Sequence, residues 1–227
     1  NSAFGGETLQ GATRSQDLRV QWIGRPGSRY QADRNGRKPS PLSVNGRLYL
    51  QGLRRLVTLD CYNGTVLWSL EIPPLGRFNM PRDCSNWCAD KDHLFVAIGR
   101  HCWQINGQTG QLKQRLVAAK DSTDHWGFVA RKGDLLFGSR VSSKAQFTSF
   151  WGGSGEGWYD AKSGPATFKV CSDELFAIDL KKVEQARKWT YRGIIVNSTI
   201  TVGKSYVYFT ECRAPDVTKG KTRRLGG

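Results

Sequence analysis

The sequence predicts an all-β fold, a β-propeller built of four-stranded antiparallel blades. Three observations predict it. Short extended runs recur in groups of four, separated by turn residues, in a chain with 26 Gly and 8 Pro. The group repeats with a spacing of 46 residues, pairing Asp60 with Asn106, Gly64 with Gly110 and Trp68 with Gln114, and Trp22 lies the same distance before Trp68. The chain also carries eight Trp, several of them at the ends of these groups. A period in the forties with four strands per unit is the signature of a propeller blade. One blade cannot bury both of its faces, so blades stack face to face around an axis. A β-sandwich or β-solenoid has no reason to hold Asp, Gly and Trp in phase over 46 residues.

Each element follows from its local pattern. Residues 1–17 are polar and read as an extended leader, and Leu18–Trp22 alternates as one outer strand. A basic loop, 24–39, precedes the first full blade: Leu42–Val44, Leu48–Leu50, Leu56–Cys61 and Val66–Ile72. Asn45-Gly46 is a hairpin-turn dipeptide, and Gly64 in Tyr62–Thr65 can take positive φ. The second blade is Asn86–Ala89, His93–Ile98, Cys102–Ile105 and Leu112–Val117, with turns at Asp90–Asp92 and Asn106–Gly110. The third opens with His125–Ala130 and Asp134–Arg140. A Gly- and aromatic-rich insertion, 141–170, follows, and the blade resumes at Phe176–Asp179 and ends at Trp189. A fourth unit begins with Ser198–Lys204 and Ser205–Cys212 and then gives way to a basic tail, 214–227. The propeller segment 18–213 thus supplies about three and a half blades.

Composition narrows the partners. The net charge is +15, but Lys and Arg are scattered and only Lys219–Arg224 forms a cluster, so nucleic acid is not the expected partner. A polyanion-binding surface is kept as a second alternative. No run of about 18 apolar residues exists, so no membrane span is expected. The start, NSAFGGETLQ, has no signal-peptide pattern and no initiator Met, and reads as a mature form, a processed product or a piece of a longer chain. Of the six cysteines, Cys84, Cys88 and Cys102 lie near His101 in a superficially zinc-like set. The spacing is not a standard knuckle, and separate buried thiols are the competing reading. No metal is predicted.

TLDCYNGTVLW, Thr58–Trp68, resembles the tryptophan-docking motif of quinoprotein-type propellers, Ala-x-Asp-x-x-x-Gly-Lys-x-x-Trp. Asp60, Gly64 and Trp68 match, Thr58 stands for the Ala and Thr65 for the Lys. AIDLKKVEQARKW, Ala177–Trp189, resembles a stretched copy, and the middle copy keeps Gly110. The resemblance covers about residues 18–212 and extends to exported bacterial pyrroloquinoline-quinone (PQQ)-like propellers. It implies that Trp22, Asp60, Gly64, Trp68, Gly110, Asp179 and Trp189 are structural docking residues, with the indole packed between blades. It implies a ring of seven or eight blades, the remainder supplied by the same chain or a partner chain, and an extracytoplasmic setting.

The family includes PQQ-dependent dehydrogenases and non-catalytic assembly factors, and fold alone does not choose between them. The leading expectation is a non-catalytic binding or scaffold module with a protein partner. The alternative is a PQQ-dependent dehydrogenase domain holding PQQ with calcium. No adjacent Cys-Cys pair and no acidic cluster suited to calcium is present, so no catalytic residue is assigned and no cofactor is expected. Arg37, Arg82 and Asp83, His125 and Trp126, and Asn197 occupy equivalent positions just before or at the inner strands. In a propeller such positions ring one mouth of the channel, which makes them binding candidates; a hydrogen-bonding belt between blades is the competing reading. Trp151, Trp158 and Tyr159 of the insertion are candidates for a lid.

Overall fold

A computed structural model describes residues 39–52, 54–75, 77–78, 86–118, 123–141, 146–147, 159–160, 164–165, 171–182 and 187–213. Trp22, Arg37, Arg82, Asp83, Cys84, Trp151 and Trp158, with the leader and the basic tail, lie outside them. The strands are β1 (Leu42–Val44), β2 (Arg47–Gly52), β3 (Arg55–Asp60), β4 (Val66–Glu71), β5 (Arg77–Phe78), β6 (Trp87–Ala89), β7 (His93–Ile98), β8 (His101–Asn106) and β9 (Leu112–Val117). Then come β10 (His125–Lys132), β11 (Leu135–Val141), β12 (Gln146–Phe147), β13 (Tyr159–Asp160), β14 (Gly164–Pro165), β15 (Cys171–Asp179), β16 (Arg187–Val196), β17 (Thr201–Val202) and β18 (Val207–Tyr208). Three four-stranded antiparallel sheets result: β1-β2-β3-β4, β6-β7-β8-β9 and β10-β11-β15-β16. These are blades I, II and III, and β17-β18 is the first hairpin of a fourth unit.

Burial explains the strand patterns. The middle strands are covered on both faces, so β7 (HLFVAI) and the end of β15 (LFAI) are continuous apolar runs. The outer strands β4 and β9 are mostly exposed and read as mixed or polar. Three apolar layers hold the blades together. Leu42, Tyr49 and Leu56 of blade I meet Trp87, Leu94 and Ile105 of blade II. Phe95, Cys102 and Leu116 of blade II meet Trp126, Leu136 and Phe176 of blade III. Phe137, Leu175 and Ile195 of blade III meet Ile200 and Val202 of the fourth unit.

The repeat is kept at the level of single hydrogen bonds. Asp60 Oδ1 accepts the backbone N–H of Tyr62 (2.7 Å) and Asn63 (3.2 Å). Asn106 Oδ1 accepts those of Gln108 and Thr109, both at 2.9 Å, and Asp179 Oδ1 that of Lys181 at 3.0 Å. The Gly64 N–H donates to Asp60 O and the Gly110 N–H to Asn106 O, both at 2.9 Å. A β-bulge recurs at one register in all three blades, after Thr58, Gln104 and Ala177. It leaves Leu67, Lys113 and Lys188 without a ladder partner, just before the docking position.

Blade I shows what that docking position does. A cross-strand row runs Leu42, Tyr49, Thr58, Trp68 on the face toward blade II. Trp68 Nε1 donates to Gly107 O at 2.9 Å, and Tyr49 Oη reaches the same carbonyl at 3.4 Å. The Trp68 ring lies against Gly110, where an added Cβ would sit 2.8 Å from Cδ2. Gly110 also has φ +75°, the left-handed region that disfavours a side chain. The first hairpins are tied as well: Arg47 and Asn45 of blade I both donate to Lys91 O of blade II, and Arg131 of blade III pairs with Asp90.

The fourth unit departs from expectation. A strand is expected over Ser198–Lys204, but Asn197–Thr199 form a three-ten turn and only Thr201–Val202 is extended. Thr199 bends the chain by donating to Val196 O at 2.8 Å while its Oγ1 accepts the Thr210 N–H at 2.8 Å. The insertion leaves after β11 and returns before β15, and its strand β12 pairs with β5 in the link between blades I and II.

Gly110→Ala places a methyl in the Trp68 ring and strains φ, whereas Gly133, with φ +56°, has nothing within 4 Å of an added Cβ. Denaturant titration is expected to show a loss of about 1 kcal/mol for Gly133→Ala and roughly twice that or more for Gly110→Ala.

Candidate functional site

The blades have two ends, and each concentrates different chemistry. At the end where the first strands begin, β10 starts with His125 and Trp126. The Trp126 backbone N–H donates to Gly99 O of blade II at 2.9 Å, and its indole Nε1 is buried without a hydrogen-bond partner. Its ring is fully buried and meets Phe176 edge-on at 5.0 Å. Trp126 is therefore a core residue between blades II and III, not one presented to the channel mouth. His125 is half-buried beside Gly99, and its Nδ1 is buried without a hydrogen-bond partner. Burial holds its imidazole below the usual histidine range, partly opposed by Asp124.

Asn197, the third described mouth candidate, is fully buried. It closes a polar chain across blade III: Ser172 Oγ donates to Asn197 Oδ1 and lies 2.7 Å from Ser139 Oγ, which accepts the Phe128 N–H at 2.8 Å. These two described amide and indole candidates thus serve packing and internal bonding.

A residue the pattern analysis missed organises this end. Glu174, 1% exposed, sits in the row Trp126, Arg140, Glu174, Arg192. Its carboxylate pairs with Arg187, with Arg140 (3.6 Å) and with Arg192 (3.4 Å). Arg187 also donates to Ala118 O of blade II and lies 4.3 Å over the Phe176 ring, so the cluster clamps blade III to blade II. The signal in the sequence is the Asp173-Glu174 pair just before the apolar run of β15, but the partners of Glu174 depend on register across the insertion. The thiols of Cys88 and Cys102 are both buried; burial pushes Cys88 up to about 12 and Cys102 upward, which leaves both unreactive. No group of three or more metal-ligating side chains occurs among the described residues.

The opposite end carries the hairpin turns, and here blade III differs from blade I. Its row runs Ala130, Phe137, Ala177, Trp189, equivalent to Leu42, Tyr49, Thr58, Trp68. Trp189 is 39% exposed, and Phe137 faces a cleft of about 550 Å³. Lys132, Lys188 and Lys204 line the cleft with Leu135 and Tyr206, and Tyr206 is 69% exposed. Lys132 donates to Gly203 O and Lys204 O, which ties blade III to the first hairpin of the fourth unit. Lys181 pairs with Asp134 at 2.8 Å on the cleft wall. Tyr206 and Tyr208 form a tilted pair at 6.2 Å. Sequence periodicity flagged Trp189 but not the lysines, which gather only when the end of β10, the bulge of β16 and the β17–β18 turn converge.

No protein-family model and no curated protein matches the chain. Among solved structures it is similar to BamB from Moraxella catarrhalis, at 11% identity and a TM-score of 0.41, over 68% of this chain and 40% of that one. It is similar to a europium-containing methanol dehydrogenase at 12% identity and a TM-score of 0.42, over 68% and 32%. For a quinohemoprotein alcohol dehydrogenase from Comamonas testosteroni the values are 11%, 0.44, 69% and 21%. The chain thus spans between a fifth and two fifths of these proteins' lengths. The propeller assignment itself rests on the repeated four-stranded blades.

Two outcomes follow from the charged end. Glu174→Gln removes the buried carboxylate that the partly buried Arg140 and Arg187 share and is expected to cost about 3 kcal/mol, whereas Glu71→Gln, in the exposed Arg55–Glu71 pair, costs less than about 1 kcal/mol. Urea unfolding of both variants measures this. His93, His101 and His125 all have imidazoles lowered chiefly by burial. The unfolded chain therefore takes up these protons first, at about pH 6.5, and the folded chain only further down. Stability is expected to fall as pH drops from about 7.5 to about 5.5, and His125→Gln to reduce that fall.

Proposed function

We propose that this chain is a non-catalytic binding and scaffold module of the β-propeller type, which engages a protein partner through the open face of blade III. The observation that carries the reading is the contrast between two equivalent tryptophans. Trp68 is seated on the Asn106–Gly110 turn of the next blade. Trp189 is 39% exposed and follows Lys188, which lines a cleft with Lys132, Lys204 and the exposed Tyr206. Exposed aromatic side chains next to charge are the composition of protein-binding hot spots.

The state of the oxygen donors at the other end supports a reading without PQQ and calcium. The Glu174 carboxylate is shared among three arginines, and Asn197 Oδ1 accepts from Ser172. Neither is available in this arrangement to ligate a cation, and Trp126 lies in the core rather than offering a ring face to a quinone. The resemblance to exported propellers supports an extracytoplasmic setting. Among the described residues no helix is long and apolar enough to cross a membrane.

Two measurements test the reading. With PQQ and Ca²⁺ added, dye-linked oxidation of alcohols and sugars is expected to stay at background; quinone-dependent turnover would establish the dehydrogenase alternative. In the second, p-benzoylphenylalanine replaces Tyr206 or, as control, Tyr62, which is equally exposed at 70%. Irradiation in extract from the source cells is expected to give discrete protein adducts from position 206 and none from 62. Equal labelling at both positions contradicts a dedicated face.

A further inference from the structure

The two ends of the blades carry different cations. Exposed lysines, Lys91, Lys132, Lys181 and Lys204, gather at the hairpin-turn end. The end where the first strands begin carries arginines. Gly52 pairs with Arg55 and Ile98 with His101, so Arg54 and Arg100 are the second residues of two equivalent two-residue turns. Both are exposed. Arg213, its side chain 80% exposed, falls at the same register of the fourth unit. All three stand seven residues past the residue that closes the first hairpin, which is Arg47, His93 or Tyr206. In blade III the insertion leaves at that register, and Arg192 of β16, 79% exposed, stands at this end instead. Arg54 holds φ +53°, where Gly or Asn is more at ease, so an arginine stands there against the preference of the backbone.

Charge and spacing specify the partner. The described carboxylates of this end are engaged: Glu71 with Arg55, Asp124 beside Arg140, Glu174 with three arginines and Glu211 with Arg213. Asp173 has a partner too. The Arg100 charge reaches the next blade: burial holds the His125 imidazole low, Asp124 opposes that, and Arg100 adds to it. Stacked sheets lie about 10 Å apart, the length of about three residues of an extended chain at about 3.3 Å each. An arginine fork receives a carboxylate in a fixed plane, which an ammonium does not. We infer that this end is a docking face for an extended segment of a partner polypeptide with Asp or Glu at about every third position, one carboxylate per blade. The segment lies across Arg54, Arg100, Arg192 and Arg213. This face is separate from the blade III face proposed above. A nucleic acid is a poorer match, because a duplex carries a phosphate charge about every 1.7 Å and carboxylates interrupt the arginines here. A lipid surface is poorer too: the exposed large apolar side chains of the described residues, such as Tyr62, Leu67 and Tyr206, lie toward the opposite end. The sequence contains no run of three acidic residues so spaced, which disfavours a second copy.

The test follows fluorescence anisotropy of two labelled peptides on the intact chain, at low and physiological salt. One carries Glu at every third residue, four in all, in a Ser/Thr/Gly background. The other has the same composition with its Glu residues in a row. The spaced peptide is expected to bind about fivefold more tightly than the clustered one, and both to weaken as salt rises. Arg54→Asn, which suits the left-handed backbone, combined with Arg100→Gln is expected to weaken the spaced peptide about tenfold and to abolish its advantage. The control pair Lys91→Gln and Lys182→Gln, at the opposite end, is expected to leave binding unchanged. A thermal unfolding midpoint equal to that of the wild type shows that the arginine variant is folded. Equal affinities, no binding of the spaced peptide, or the same loss in the lysine control overturns the inference. So does a single-stranded oligodeoxynucleotide that binds more tightly than the spaced peptide and loses affinity in the arginine variant, which would assign the face to nucleic acid. Adducts at position 206 and PQQ-dependent turnover report on the other end and on the redox alternative, so the two readings fail separately.

Discussion

The seat of the Trp68 indole on the Asn106–Gly110 turn is the contact on which this architecture depends. It unites three requirements at one point. The ring buries a large apolar area between two sheets, its N–H is satisfied by Gly107 O, and Gly110 leaves the room that a Cβ would take. Blade stacking needs all three, because a four-stranded sheet with one bare face is unstable in water. Truncating such a ring costs about 3 kcal/mol or more, a large share of the stability of a domain. Tyr49, Arg47 and Asn45 repeat the same logic with smaller terms along the same edge.

Successive blade junctions solve the stacking problem differently. Junction I–II is aromatic and neutral. Junction II–III places Gln114 at the tryptophan position, where it donates to Gln104 across the ladder at 2.6 Å. The adhesion comes instead from Trp126 against Phe176 and from the Glu174–Arg187 clamp on Ala118 O. Junction III–IV has the tryptophan position again at Trp189, 39% exposed, and Lys132, Lys188 and Lys204 line a cleft between β16 and the described hairpin of the fourth unit. A buried carboxylate among three arginines is a poor source of net stability but a strong device for register, since any slip leaves charge unpaired. Such a device is needed in blade III, where the insertion separates β11 from β15.

How far the sequence could be read follows from which interactions are local. Period, turns and strand positions were legible because Asx-Gly turns and extended apolar runs are encoded within about ten residues. Asn106 replacing Asp60 did not disturb the pattern, since an amide oxygen accepts the same two N–H groups. The break at Asn197–Thr199 was hidden because it depends on a side-chain bond from Thr199 to distant Thr210. At the mouth, equivalence across blades gave positions but not orientation. Trp126 and Asn197 turn into the core, where Trp126 Nε1 and Asn197 Nδ2 are buried without a partner, as is Nδ1 of the partially exposed His125. The Glu174 cluster and the lysine cleft were illegible because their members come from strands and turns far apart in the chain.

Of the two docking tryptophans, Trp68 is seated on Gly107 O and Trp189 is 39% exposed, and indole N–H exchange reads that difference directly. In ¹⁵N-labelled protein, the Nε1–H of Trp68 is expected to exchange slowly with solvent, protected by Gly107 O, and that of Trp189 to exchange fast. Comparable protection of the two would mean that blade III is already capped as blade I is, and would contradict the open-face account.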